Sequence, residues 1–175
     1  MSWNNDNVPK IILEYDDSEM KKVAAEVSAV LDHNGFGNGG RAVRALAARA
    51  SVAGERATNS VAEITTNEVR NLMEERQYRQ PSYGPKKAAE WHAKHDNARM
   101  VDNLKDHVKG NRHEIYTTTT NGGYNYSQAF EFGLLTRRYP AHHPFQDAAS
   151  HLGLTTMNGL FEDKVCEAIR KGFDA

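Results

Sequence analysis

The chain lacks most of the features that mark secreted, membrane-bound or strongly charged proteins. Its single cysteine, Cys166, cannot close an internal disulfide. A lone thiol inside a helical pattern reads as a small core residue folded in a reducing cytosol. No apolar run reaches bilayer-spanning length, and the opening MSWNNDNVPK has neither a basic segment nor an apolar one, so a soluble protein without a signal peptide is expected. Neither sign of charge dominates. The 22 Lys and Arg against 23 Asp and Glu leave a net charge of -1, which gives no global attraction to nucleic acid or to an anionic membrane. Hydrophobic residues make up only 39% and the mean hydropathy is -0.72, low for a compact globule. That surplus of polar surface implies an elongated form, or one whose burial is completed by neighbouring subunits. At 175 residues one domain with a protruding element is expected.

Catalytic and cofactor signatures are also missing. There is no G-x-S-x-G, and no histidine is positioned by sequence beside Cys166. The tract GFGNGG, Gly35 to Gly40, is followed by Arg41-Ala42 where a phosphate loop needs Lys-Ser/Thr, and a helical pattern precedes it where a dinucleotide fingerprint needs a strand. It reads as a flexible connector. His143, Asp147 and His151 stand at i, i+4 and i+8, a spacing that could hold zinc on a straight helix, but His143 precedes Pro144 and no fourth ligand is evident. His92, His95 and Asp96 in HAKHD lack the HExxH spacing. The expectation is no cofactor, no metal and no enzymatic activity, with the scattered carboxylates serving as solvated helix charges.

Along the chain, residues 1–9 form a polar arm without order of its own or ordered only on a partner. KIILEY, Lys10 to Tyr15, reads as a strand behind Pro9. Asp17 and Ser18 offer an N-cap, and Met20, Val23, Ala24, Val27, Val30 and Leu31 recur at helical spacing up to Asn34-Gly35. Residues 41–78 carry a long helical pattern with Val43, Leu46, Ala47, Ala50, Val61, Ile64, Val69, Leu72 and Met73 as its apolar set. It is either one long helix bent near Gly54 or two in sequence. RQPSYGPKK, Arg79 to Lys87, is a loop, with Trp91 as a packing anchor at its end. A helix over Ala88 to Lys109, interrupted near Asp96, stops at Gly110. Ile115 to Thr120 reads as a strand, and Asn121-Gly122-Gly123 as a turn into a hairpin partner or a short helix at YSQAFEFG. Helix from Pro144 to Phe173, bent or broken around Gly153 to Gly159, closes the chain with Phe161, Val165, Cys166, Ile169 and Phe173 as its stripe. The fold class expected is α+β, a small antiparallel sheet from KIILEY, HEIYTTTT and the YNYSQAF region packed by helices.

The richest stretch is Tyr124 to Ala149, YNYSQAFEFGLLTRRYPAHHPFQDAA. Tyr124, Tyr126, Phe130 and Phe132 can bury an apolar face, Gly133 permits a sharp change of direction, and Pro144 suits a first helical turn. Arg137, Arg138, His142 and His143 lie between these anchors, in a loop built to present a surface. Arg137 and Arg138 with Arg76, Arg79, Lys86 and Lys87 are candidates for a basic patch, although solvated or subunit-bridging roles fit the balanced charge better.

Tyr126, Glu131, Phe132, Gly133, a variable loop, then Pro144, Phe145, Ala148 and Ala149 resemble the C-terminal pattern of bacteriophage tail-completion or head–tail joining (neck) proteins, of the minor tail protein Z-like kind. The resemblance covers residues 97–173, with Asn97 and Ala98 where the family has Thr-Gly and Leu134 where it has threonine. It implies a structural virion protein of the neck, made in the host cytoplasm, that forms a homo-oligomeric ring of about six or twelve copies between head connector and tail tube. Its partners would be further copies of itself, the connector or adaptor, and tube or terminator proteins, with passing contact to genomic DNA and none to membrane. By that resemblance Phe132 and Gly133 make the turn, Phe145 anchors the last helix, and Glu131, Arg137, Arg138, His142 and His143 are candidate contacts between subunits or rings. A tail terminator of the same region is the neighbouring reading. A helical binding or regulatory module, and a metal enzyme using His143, Asp147 and His151, are the competing classes.

Overall fold

The structure, a computed structural model, describes residues 8–78, 100–121, 124–133 and 140–173. The chain divides into two compact units. Residues 62–109 and 113–153 make up most of the first, together with the chain up to Leu13. The second is built mainly from residues 14–61 and 154–175.

The fold is α+β, as the sequence implies. Strand β1 (Ile11–Glu14) is followed by helix α1 (Ser18–His33) and the 42-residue helix α2 (Gly37–Tyr78). A single 3-10 turn over Met100–Asn103 leads into β2 (Leu104–Lys109) and β3 (Arg112–Thr117). A small hairpin joins β4 (Thr120–Asn121) to β5 (Tyr124–Asn125), and helices α3 (Ser127–Phe132), α4 (Pro144–Leu152) and α5 (Leu154–Phe173) complete the chain. The first sheet has the order β1-β3-β2, and β4 pairs antiparallel with β5 through Thr120–Asn125 and Asn121–Tyr124.

Several expectations change. The helix expected up to Lys109 gives way to strand β2, since Leu104–Lys109 pairs with β3 across a turn in which Gly110 adopts φ 64°. The third strand of the sheet is therefore LKDHVK, and the YNYSQAF region makes a separate two-stranded hairpin before turning helical. The glycine-rich tract is no connector, because α2 begins at Gly37. A Cβ on Gly40 would crowd the Asp32 carboxylate and sit 3.0 Å from the Ser28 carbonyl oxygen, so this glycine lets α1 and α2 approach closely. Helix α2 also runs unbroken through Gly54.

In the first unit a core of Ile11, Ala62, Val69, Leu72, Met73, Met100, Val101, Leu104, Ile115, Phe130, Phe145 and Ala148 joins the sheet to the helices, with Leu13 packed against it. A polar seam ties the hairpin to this core. Thr117 Oγ1 donates to the Met100 carbonyl at 3.0 Å, and Asn125 Nδ2 to the Thr117 carbonyl at 2.8 Å. Asn125 Oδ1 in turn accepts from Ser127 N at 3.0 Å and Ser127 Oγ at 2.6 Å, which fixes the start of α3.

In the second unit the interior is made of small residues. Ala24 and Ser28 of α1 and Ala50, Ser51, Ala53, Ala57 and Thr58 of α2 are buried. Ser51 Oγ bonds to the Asp17 carboxylate, which also pairs with Lys21 at 2.7 Å, and Arg44 pairs with Asp32 at 2.9 Å. Tyr15 packs on Phe161 of α5 with ring centroids 5.3 Å apart. Here the apolar stripes expected from periodicity are corrected, because Val23, Val27 and Val30 are exposed, as is Leu46 on α2. Ile64, in the part of α2 that belongs to the first unit, is exposed too. Close packing of small side chains selects the Ala and Ser face over the Val face. Cys166 is likewise exposed, not a core residue. Among the described residues no helix is long and apolar enough to cross a membrane.

Candidate functional site

The junction of α3 and α4, in the first unit, brings together most of the described candidate residues. Helix α3 ends at Gly133, whose φ of 73° lies in the region glycine favours, and the Gly133 N–H bonds to the Ala129 carbonyl at 2.8 Å. Gly133 thus has a backbone conformation that the expected turn would use, while residues 134–139, which would complete that turn, lie outside the described residues. Helix α4 begins with Pro144 in its first turn, where a missing N–H is no loss. Its next two amides both find one acceptor. Phe145 N donates to Glu131 Oε2 at 3.0 Å and Gln146 N to Glu131 Oε1 at 2.9 Å.

Glu131 is only 2% exposed, so it faces inward as the cap of a helix contributed by a later segment. Its carboxylate meets both the free N–H groups and the positive end of the α4 dipole. The contact role assigned to it from resemblance gives way to this internal one.

Two backbone bonds close the junction further. His142 N donates to the Phe130 carbonyl at 2.9 Å and His143 N to the Glu131 carbonyl at 3.3 Å. The His142 ring stacks on Phe130, with centroids 4.6 Å apart and planes 21° from parallel. Arg76, near the end of α2, donates to the His142 carbonyl and pairs with Asp147 at 2.6 Å. Burial and then the guanidinium of Arg76, followed by His143, lower the pKa of His142 below the ordinary imidazole value. His143 has φ 49° and ψ 43°, a left-handed conformation uncommon for any residue but glycine. Its Nδ1 is buried and has no hydrogen-bond partner among the described residues.

The structure sorts the remaining candidates. Phe145 is buried and anchors α4, while Phe132 is 62% exposed and lies off the apolar face expected for it. Arg76 belongs to this junction, and the other residues of the candidate basic patch lie outside the described residues. His143, Asp147 and His151 do not converge, since Asp147 pairs with Arg76 and His151 Nδ1 with Glu68 at 2.9 Å. Among the described residues no three His, Cys, Asp or Glu side chains form a metal cluster. Arg137 and Arg138, with Leu134, lie outside the described residues, as do Arg79, Lys86, Lys87, Trp91, His92, His95 and Asp96 and most of the N-terminal arm.

Sequence reasoning missed the Arg76 clamp and the Asn125 acceptor. Arg76 lies far along the chain from His142, and no local periodicity links them. Asn125 was discoverable, because Asn two residues before a Ser that opens a helix is an Asx-turn signal. Comparison of the chain with protein-family models, with curated proteins and with solved structures found no match.

Proposed function

We propose that this chain is a structural, non-enzymatic subunit of a bacteriophage neck, completing or joining the tail at the head–tail interface as part of a homo-oligomeric ring. One observation carries the reading. The acidic residue that precedes Phe-Gly in the motif, Glu131, is the buried acceptor for the helix opened by Pro-Phe, Pro144-Phe145. The motif residues, separated in sequence, therefore act as one mechanical unit. They hold both ends of the intervening loop, residues 134–139, to a common base. A segment whose flanking residues are tied together in this way can serve as a docking element between copies or between stacked rings. Phe132, exposed next to Gly133, adds an apolar contact, with His142 and His143 at the other end.

The partners in this reading are further copies of the chain, the head connector or adaptor, and the tail tube or terminator protein, with Arg137 and Arg138 as charged contacts. The tail-terminator reading uses the same surface. The exposed Val23, Val27 and Val30 of α1 favour a second class, a helical binding module, whose signature would be a one-to-one complex and no ring.

The charge reversal Arg137→Glu with Arg138→Glu tests the loop directly. The sequence marks Arg137 and Arg138 as loop residues, and surface substitutions change stability by no more than about 0.5 kcal/mol as a rule. The circular dichroism spectrum and melting curve should therefore be unchanged while the yield of tailed particles in a complementation assay falls at least about tenfold. Normal particle yield from the double variant would remove the loop from the assembly interface.

A further inference from the structure

The loop base contains a titratable ring in a place that a structural clasp does not need. We propose that the α3–α4 junction is a pH-sensitive clasp, in which proton uptake by the His142 imidazole parts residues 142–143 from α3. The argument rests on what the ring touches. Its face lies on Phe130, a side chain only 3% exposed, and its own backbone carries two of the bonds that close the junction. A cation formed on that ring would be partly desolvated and set beside a guanidinium that is already present.

Among the described residues, the charged groups around it come from three helices, with the His143 imidazole next to it in sequence. Arg76 on α2 reaches the His142 carbonyl, Asp147 on α4 is committed to Arg76 at 2.6 Å, and Glu131 on α3 has both oxygens taken by the Phe145 and Gln146 amides. His151 and Glu68 pair with each other elsewhere on α4 and α2. Among the described residues, both of these junction carboxylates already have partners. Next in sequence, His143 is held at φ 49°, a conformation that relaxes once its N–H leaves the Glu131 carbonyl.

The direction follows from linkage. Burial and Arg76 lower the folded-state pKa of His142, so the unfolded or unclasped chain binds the proton more tightly. The clasp is therefore fully stabilised above the ordinary imidazole pKa of about 6.5 and weakens as pH falls below it, through the folded value. No covalent bond changes; the proton comes from solvent and returns to it.

Amide hydrogen exchange followed by NMR on the full chain tests this. Protection factors at the His142 and His143 amides should fall severalfold between about pH 7.5 and about pH 5, relative to amides of the β2–β3 hairpin measured in the same samples. The His142→Phe variant keeps the aromatic stack and removes the titration, so its junction amides should stay protected across that range. In wild type the His142 ring should titrate below the ordinary imidazole value. A junction that follows the hairpin at both pH values, a His142→Phe variant that still opens on acidification, or a His142 ring titrating at or above the ordinary value would each overturn the proposal.

Discussion

Glu131→Ala is expected to destabilise the first unit by about 3 kcal/mol, the largest loss of any single substitution at the candidate site. The carboxylate is 2% exposed and accepts from two backbone amides at the start of α4. A hydrogen bond to a charged group is worth about 1.5 to 3 kcal/mol, and losing a helix cap costs about 1 kcal/mol, partly the same energy counted twice. Alanine also leaves a small void beside Phe145. Glu131→Gln should recover only part of the loss, because one amide keeps its acceptor while the other meets an NH2 donor. Urea unfolding followed by tryptophan or far-ultraviolet signals measures both variants. An alanine variant within about 0.5 kcal/mol of wild type would show that α4 docks without its cap. The same variant separates stability from assembly. If the loop base positions the docking segment, partial loss of the cap in Glu131→Gln should reduce ring formation at temperatures where the protein is still folded.

The second large effect lies in the other unit. Gly54 sits on α2 directly under the ring of Tyr15, and a Cβ there would come inside 3.0 Å of the ring and its hydroxyl. The Tyr15 ring cannot swing away without losing its packing on Phe161, and its backbone is held in place by bonds to Asn111. Two terms oppose each other in Gly54→Ala. Alanine gains up to about 1 kcal/mol of helix propensity, while the clash costs about 1 to 3 kcal/mol of repacking, so the net change is small and destabilising. Gly54→Leu keeps the propensity gain but adds a volume that the site cannot hold, and should cost about 3 kcal/mol or more. Combining Gly54→Leu with Tyr15→Ala opens the space again. The double variant is therefore expected to be more stable than Gly54→Leu alone, a coupling readable in a double-mutant cycle. Simple additivity of the two single effects would mean that the glycine is not a socket for Tyr15.

Local punctuation carried much of the fold. Pro9 before a β-branched run marked β1, Asp17-Ser18 and Asn34-Gly35 bracketed α1, and Pro144 opened α4, all within a residue or two of the observed ends, while the break between α4 and α5 falls at the start of the Gly153 to Gly159 span expected for it. The Asn-Gly-Gly signal placed the β4–β5 hairpin. Strand β2 was not legible, because LKDHVK is polar and exposed beyond Leu104 and owes its state to pairing with β3. Periodicity named the helical faces of α1 but not which one is buried. Val23 and Ala24 are neighbours in sequence, and only the close approach of α2 at Gly40 decides for the alanine side. At the candidate site, the sequence marked Gly133 and Pro144 through their local conformational demands, and Phe132 and Phe145 through the resemblance to the family pattern. It could not show that Glu131 turns inward or that Arg76 clamps Asp147, since both depend on contacts between segments far apart in the chain.

The central claim is that identical copies of this chain meet in a closed ring through a surface whose base is the Glu131-capped junction. Size-exclusion chromatography with multi-angle light scattering, run on the purified chain alone and after mixing with isolated head connectors, addresses it most directly. A discrete closed oligomer of about six or twelve copies in either sample is the predicted result. A monomer that remains monomeric in both, across micromolar concentrations, would contradict the account.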